Sequence, residues 1–186
     1  MSRIGKKPIL IPKEVNVKID LRKVVVSGPK GELEIMVPRN VKLEQKDDKL
    51  FVTRFSEEKK VKALHGTIRQ LIANAIAGVV KEWERDLEVV GTGYRAAMDQ
   101  EKLILSVGFS HQVEIQPPAG IKIILDGQNK IKIAGVDKAL VGREAAKIKS
   151  VRPPDAYKGK GIRYAGEVIK LKPGKAAKGG AAGVGK

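Results

Sequence analysis

The sequence contains no cysteine, and this absence excludes both a disulfide framework and a thiolate metal site. Aromatic residues make up only 4% of the chain, so the core must be built mainly from aliphatic side chains. No apolar run approaches the roughly 20 residues that a membrane-spanning helix needs, and none follows the first residues as in a secretion signal. We therefore expect a chain of the cytoplasm that is neither inserted in a membrane nor processed for secretion.

Acidic residues are also few in comparison with basic ones. The chain has 37 Lys and Arg against 21 Asp and Glu, a formal net charge of +16 and a pI near 10.0. Residues 138–186 hold 13 of the basic residues and only 3 acids, a net charge of +10. Because such a surface attracts polyanions, the charge predicts a nucleic-acid partner bound mainly by the last quarter of the chain. A smaller basic cluster lies at Arg3, Lys6 and Lys7.

The alternating apolar positions recur along the chain at an offset of about 80 residues, which indicates an internal duplication. Segment 19–27 matches 98–106, segment 33–35 matches 113–115, and segment 41–43 matches 121–123. Within each copy, apolar residues alternate over short runs that are separated by turn residues. This pattern is typical of half-buried antiparallel strands.

A helical period follows the strands in both copies. In the first copy, we expect Ser56 to cap a long amphipathic helix with Glu57 and Glu58 in its first turn. In the second copy, we expect Asp137 to cap a shorter helix that ends before Pro153. The sequence thus predicts an α+β fold of two tandem duplicated domains, each a small antiparallel β-sheet packed against one α-helix. We place an N-terminal domain with a basic arm at 1–82, a C-terminal domain with a basic loop at 83–170, and a flexible basic Gly/Ala/Lys tail at 171–186.

Motifs that would carry catalysis are missing or stand in the wrong context. Segment 91–96 satisfies the glycine pattern of a dinucleotide site, but a strand pattern at 103–107 replaces the helix that such a site needs. Neither His65 nor His111 has a partner at ligand spacing, so we interpret them as a packed and a turn histidine. We predict no catalytic residue, no metal and no cofactor, and a protein that is not an enzyme.

A basic segment at 153–167 follows the second predicted helix and interleaves three glycines with two tyrosines. Lys158, Lys160 and Arg163 can neutralise phosphates, and the glycines let the main chain approach a nucleic-acid backbone. Tyr157 and Tyr164 can stack on bases. The alternative is a lysine-rich turn that is merely solvated. Beyond residue 167 the chain has no acid, which predicts a tail that orders only against its partner, or else a disordered solubilising end.

Two stretches of the sequence are familiar. Residues 154–164 resemble the signature of the family of the sixth protein of the large ribosomal subunit, and residues 2–9 are similar to its bacterial form. The likeness continues through 28–31, 64–67 and 142–146, so it covers nearly the whole chain. It implies a structural constituent of the large subunit that supports translation and binds large-subunit rRNA, mainly through the C-terminal domain. It also implies a position near the sarcin–ricin loop region and the stalk base, beside other ribosomal proteins and the translation factors, with no homo-oligomer.

The resemblance also implies which residues touch rRNA. The family's contacts fall on Tyr157, Lys158, Gly159, Lys160, Gly161, Arg163 and Tyr164. To these we add the basic residues that flank the signature or lie in the two basic ends of the chain: Arg152, Lys170, Lys172, Lys175, Arg3, Lys6 and Lys7. The alternative function is a free RNA- or DNA-binding regulator or chaperone, since the same charge would serve it.

Overall fold

The structure is a computed structural model that describes residues 3–174, except for the side chain of Arg3. It divides into two compact units. The first unit runs to Trp83 and includes Gly135–Val141; the second begins at Glu84, omits that segment and resumes at Gly142. Helices and small antiparallel sheets alternate in both units, which confirms the predicted α+β class. Among the described residues, no helix is both long enough and apolar enough to cross a membrane.

The first unit contains two three-stranded sheets and one long helix. Its strands are ordered β1-β6-β5 in one sheet and β2-β3-β4 in the other. The elements are α1 (Arg3–Lys6), β1 (Ile9–Leu10), β2 (Asn16–Ile19), β3 (Lys23–Gly28), β4 (Gly31–Met36), β5 (Val41–Lys46), β6 (Lys49–Arg54) and α2 (Lys59–Val80). The apolar face of α2 packs on both sheets and forms the core with Val24, Val26, Leu50, Ile72 and Ile76.

The start of α2 differs from the sequence prediction. The helix begins at Lys59, so Glu57 and Glu58 precede it, and no side chain caps it. Ser56 instead accepts a hydrogen bond from the backbone N–H of Glu58 at 3.2 Å, in the turn before the helix. Glu57 is held outside the first turn because it pairs with Arg54 at 2.6 Å and with Lys62 at 3.2 Å. Local ion pairs therefore outweigh the capping preference at this end.

The second unit repeats this plan and enlarges one sheet. Its elements are β7 (Trp83–Val90), β8 (Arg95–Asp99), β9 (Lys102–Ser106), β10 (Val113–Ile115), β11 (Ile121–Asp126), β12 (Lys130–Gly135), α3 (Lys138–Val151) and β13 (Gly161–Tyr164), of which Trp83, Gly135 and the first four residues of α3 belong to the first unit. One sheet is ordered β10-β9-β8 and the other β11-β12-β7-β13. Asp137 caps α3 as predicted, since its Oδ1 accepts from the N–H of Ala139 at 2.8 Å. The helix ends at Val151, before the two prolines.

The duplicated elements recur in the same order. The meander β2-β3-β4 corresponds to β8-β9-β10, the hairpin β5-β6 corresponds to β11-β12, and a helix follows in each copy. This order confirms the predicted tandem duplication, although the strands of each copy are shared between two sheets. The main difference is β13, which pairs antiparallel with β7. Among the described residues of the first unit, β1 is an edge strand without such a neighbour.

Candidate nucleic-acid interface

The predicted binding segment forms a closed loop between α3 and β13. We call residues 152–164 the signature loop. The N–H of Ile162 donates to the carbonyl of Arg152 at 2.8 Å, and the N–H of Asp155 donates to the carbonyl of Lys160 at 2.9 Å. A third bond joins the N–H of Gly159 to the carbonyl of Asp155 at 2.9 Å. Because its backbone groups are paired internally, the loop has a defined shape before any partner arrives.

Two glycines of the signature loop make this closure possible. Gly159 has a φ of +68°, a value that side chains other than glycine rarely adopt. Gly161 has a φ of +146°, and a Cβ there would lie 2.6 Å from the carbonyl oxygen of Pro153 and 2.7 Å from the Cα of Pro154. Gly161 is also buried. Its place in the signature is therefore explained by the crossing of two backbone segments, and its contact with rRNA stays a prediction.

Arg163 is paired within the protein. Its Nη2 and Nε donate to one carboxylate oxygen of Glu88, at 2.9 and 3.1 Å. The two residues face each other across β13 and β7, and their side chains are 35% and 29% exposed. The positive charge of Arg163 is thus largely neutralised by Glu88, and the pair holds the loop to the sheet.

Tyr164 is held by a second charged pair. Lys149 of α3 donates to both carboxylate oxygens of Glu167 at 2.7 Å, and its Nζ lies 4.5 Å from the centre of the Tyr164 ring. Glu167 also accepts the backbone N–H of Tyr164 at 3.0 Å. The Lys149 ammonium, followed by that N–H, lowers the pKa of Glu167 below its ordinary value of 4.5. Tyr164 is therefore half-buried within this cluster.

The remaining cations of the segment differ in exposure, since Arg152 and Lys160 are half-buried and the others are exposed. Tyr157 is 60% exposed at the tip of the loop, and Lys158 beside it is exposed. The N–H of Lys172 donates to the carbonyl of Ala156 at 2.8 Å and so brings the exposed Lys170 and Lys172 back to the loop. No carboxylate in residues 3–174 pairs with any of four lysines, at positions 158, 160, 170 and 172.

An open cleft of about 490 Å³ lies on the signature loop. It is lined by Tyr94, Arg152, Pro153, Pro154, Asp155, Ala156, Lys158 and Lys160. Three of the residues predicted from sequence, Arg152, Lys158 and Lys160, therefore meet at one concave surface. Lys6 and Lys7 are exposed in the first unit, while Lys175 and the side chain of Arg3 lie outside the described residues.

Comparison with known proteins decides the family. The family described as Ribosomal protein L6 matches the chain twice, at residues 11–82 and at 90–165. This chain belongs to the ribosomal protein L6 family. The two matches correspond to the two copies of the duplication. Membership confirms the resemblance inferred from residues 154–164 and the prediction that the chain is not an enzyme.

Similar proteins of the family are matched over almost their full length. The chain is 56% identical over 182 residues to the "Large ribosomal subunit protein uL6" of Caldicellulosiruptor saccharolyticus, covering 97% of this chain and 99% of that one. It is 55% identical to the protein of the same name from Thermoanaerobacter sp., covering 96% and 99%. For the protein of that name from Nostoc sp., the identity is 51% and the coverage 97% and 99%.

Sequence reasoning missed two aromatic residues of this L6 family member at the cleft, Tyr94 and Phe109, and interpreted His111 only as a turn histidine. The Gly91–Tyr94 segment forms a β-turn, closed by a hydrogen bond of 3.1 Å from the N–H of Tyr94 to the carbonyl of Gly91, and Tyr94 also lines the cleft. The guanidinium carbon of Arg152 lies over the ring of Phe109, 5.3 Å from the centre of that ring. Phe109 also stacks on His111. The available signal was the presence of aromatic residues in turn segments of a chain with only 4% aromatic residues.

The two histidines differ as expected. His65 is buried in the first unit, where its Nε2 is 2.8 Å from the carbonyl oxygen of Val52 and its Nδ1 is 3.3 Å from the guanidinium of Arg54. Because Arg54 can only donate, Nδ1 must accept and Nε2 must carry the proton. His111 is exposed in a turn. Across residues 3–174, no group of three or more His, Asp and Glu is placed to hold a metal ion.

Proposed function

We propose that the chain is a structural constituent of the large ribosomal subunit in the cytoplasm and binds large-subunit rRNA mainly through its second unit. One observation carries this proposal: Glu88 and Glu167 are half-buried and paired within the protein, whereas no carboxylate in residues 3–174 pairs with the lysines at 158, 160, 170 and 172. Glu88 holds Arg163, Glu167 holds Lys149, and Asp155 accepts the backbone N–H of Lys158 at 2.9 Å. Each of these acids thus helps to build the loop, and in the cleft the exposed Asp155 stands against three cations, Arg152, Lys158 and Lys160.

Such a surface suits a folded polyphosphate. Lysines that replace condensed counterions bind phosphates without regard to sequence, and a preformed loop adds the constraint of shape. Lys158 and Lys160 share the cleft with Arg152, and Tyr157 at the loop tip offers a ring to a base or a hydroxyl to a phosphate. Since the loop is closed by its own hydrogen bonds, little ordering entropy is lost on binding.

The finer assignment follows the family resemblance. We place the protein near the sarcin–ricin loop region and the stalk base, beside other ribosomal proteins and where translation factors approach. In this proposal the C-terminal domain, 83–170, makes the main contact and the tail, 171–186, follows the RNA backbone. The basic arm of the N-terminal domain, 1–82, makes a second contact through Arg3, Lys6 and Lys7.

The proposal is tested by removing two lysines of the cleft from the full chain. We expect the double variant Lys158→Ala, Lys160→Ala to bind large-subunit rRNA more weakly than wild type. The slope of log affinity against log salt should fall by about 1 to 2, because up to two phosphate contacts are lost. Filter binding over a salt series measures both quantities, and circular dichroism checks the fold.

The matched control is Lys46→Ala, Lys49→Ala, which removes the same charge from the exposed ends of the β5–β6 hairpin. This variant should keep the wild-type salt slope. Equal slopes for both double variants would disprove the loop assignment. A free regulator or chaperone is distinguished by fractionation, since a subunit constituent cosediments in stoichiometric amount with large subunits and a free regulator does not.

A further inference from the structure

The six residues 107–112 between β9 and β10 display a pair of stacked rings at the surface. The rings of Phe109 and His111 have centroids 5.8 Å apart and planes inclined by 15°. Phe109 is 41% exposed and His111 is also exposed. A single exposed aromatic needs no explanation, but a stacked pair in a chain with only three phenylalanines does.

The duplication shows that strand pairing does not require this turn. In the first unit the equivalent strands, β3 and β4, are joined by only Pro29 and Lys30, and Gly28 pairs directly with Gly31. Two residues are enough for a hairpin. The second copy has one more residue between the equivalent segments, and its turn has six residues outside the strands where the first has two. Both rings stand on this open turn, which lies in the same unit as the signature loop.

The turn is continuous with the cleft on the signature loop. The guanidinium of Arg152 lies over the Phe109 ring and also lines the cleft. Gly108 of the turn lies against Tyr94, since a Cβ added to Gly108 would be 3.1 Å from the Tyr94 hydroxyl. Tyr94 lines the same cleft. The stacked rings and the lysines of the cleft thus belong to one surface of the second unit.

We propose that Phe109 and His111 form a stacking platform for an unpaired RNA base, whose flanking phosphates lie on the cleft lysines. This inference rests on the proposed function, which supplies RNA as the ligand. Flat rings bind any base through its π-face, and a neighbouring guanidinium strengthens the contact. A base inside a duplex cannot present its face, so the platform selects loops, bulges or ends of the RNA.

The charges around the platform favour a base over an apolar protein side chain. The turn itself contains no acid, and the nearest acid on β10, Glu114, is paired with Lys102 at 3.2 Å. An apolar partner covering the rings would remove water from Arg152 without providing an anion. A nucleotide places its base on the rings and its phosphate near the cations at the same time.

The test compares variants of the full chain by their affinity and salt slope on large-subunit rRNA. The double variant Phe109→Leu, His111→Ala keeps an apolar side chain under Arg152 but removes the flat faces. We expect its affinity to fall about 5- to 100-fold, the range for losing a stacked base. The salt slope should stay at the wild-type value, because no phosphate contact is lost. His111→Tyr, which keeps a flat ring, should bind like wild type.

Phe55→Leu is the matched control, since Phe55 is 70% exposed but belongs to the first unit. Its affinity should not change. The platform would be refuted by an affinity of the double variant within about twofold of wild type. It would also be refuted by a reduced salt slope, or by equal losses for His111→Tyr and His111→Ala. If only the Lys158 and Lys160 variant loses affinity, the proposed function stands without the platform.

Discussion

Arg163 and Glu88 are cross-strand partners, joined by two hydrogen bonds of 2.9 and 3.1 Å to one carboxylate oxygen. The pair fastens β13, a strand without a counterpart among the described residues of the first unit, to β7. A basic residue of the family signature thus serves the shape of the protein. The contribution of Arg163 to stability can be separated from the binding that we propose for Lys158 and Lys160.

The first prediction concerns that ion pair. Glu88→Gln should lower the free energy of unfolding by about 1 to 2 kcal/mol, because a half-buried guanidinium loses its anionic partner. Denaturant unfolding followed by circular dichroism measures the change.

A pair between β12 and β7 is the control. Lys132 donates to Glu84 at 3.3 Å, and the two side chains are 43% and 48% exposed. Glu84→Gln should therefore cost at most about 0.5 kcal/mol. Equal costs for the two variants would show that β13 is not held by Arg163.

The second prediction concerns pH. The pKa of Glu167 is lowered in the folded protein by Lys149 and by the N–H of Tyr164, so the unfolded chain takes up the proton first as pH falls. The stabilisation is complete above the ordinary pKa of 4.5 and is lost as pH falls through the folded pKa. In denaturant unfolding at a series of pH values, the stability difference between wild type and Glu167→Gln should shrink from about pH 7 to about pH 3.

Glu101→Gln controls for the general effect of removing an acid, since Glu101 is exposed in the β8–β9 turn. The difference in unfolding free energy between wild type and Glu101→Gln should change less with pH than the difference for Glu167→Gln. If the stability difference between wild type and Glu167→Gln did not depend on pH, the ionised Glu167 carboxylate would not be stabilising the fold through Lys149 and the N–H of Tyr164.

The third prediction compares two glycines of the second unit. Gly161→Ala should cost roughly 2 to 4 kcal/mol, because the added Cβ meets the backbone of residues 152–154 and the φ of +146° is unfavourable. Gly142→Ala, in α3 with nothing within 4 Å of the added Cβ, should stabilise by up to about 1 kcal/mol. Thermal unfolding of the two variants gives the signs, and a stable Gly161→Ala protein would contradict the tight crossing.

Periodicity and turn residues were sufficient to predict much of the fold. The repeated strands, the cap at Asp137 and the end of α3 before Pro153 are local features, set by a few neighbouring residues. The start of α2 was predicted wrongly, because Glu57 forms ion pairs that short-range rules do not weigh. The division of each copy into two sheets depends on pairing between distant strands and was also not predictable locally.

The sequence by itself determined the class of partner, the duplication and the family, since net charge, apolar period and an ordered motif can all be read along the chain. Only the tertiary structure decided how the signature residues divide their work. Gly161 packs against the backbone of residues 152–154, and Arg163 pairs with Glu88. Lys158 is exposed, and Arg152 lies over the ring of Phe109. The reason is physical: whether a charge is available to a ligand depends on the acids that folding places beside it, and Glu88 lies 75 residues from Arg163 in the sequence.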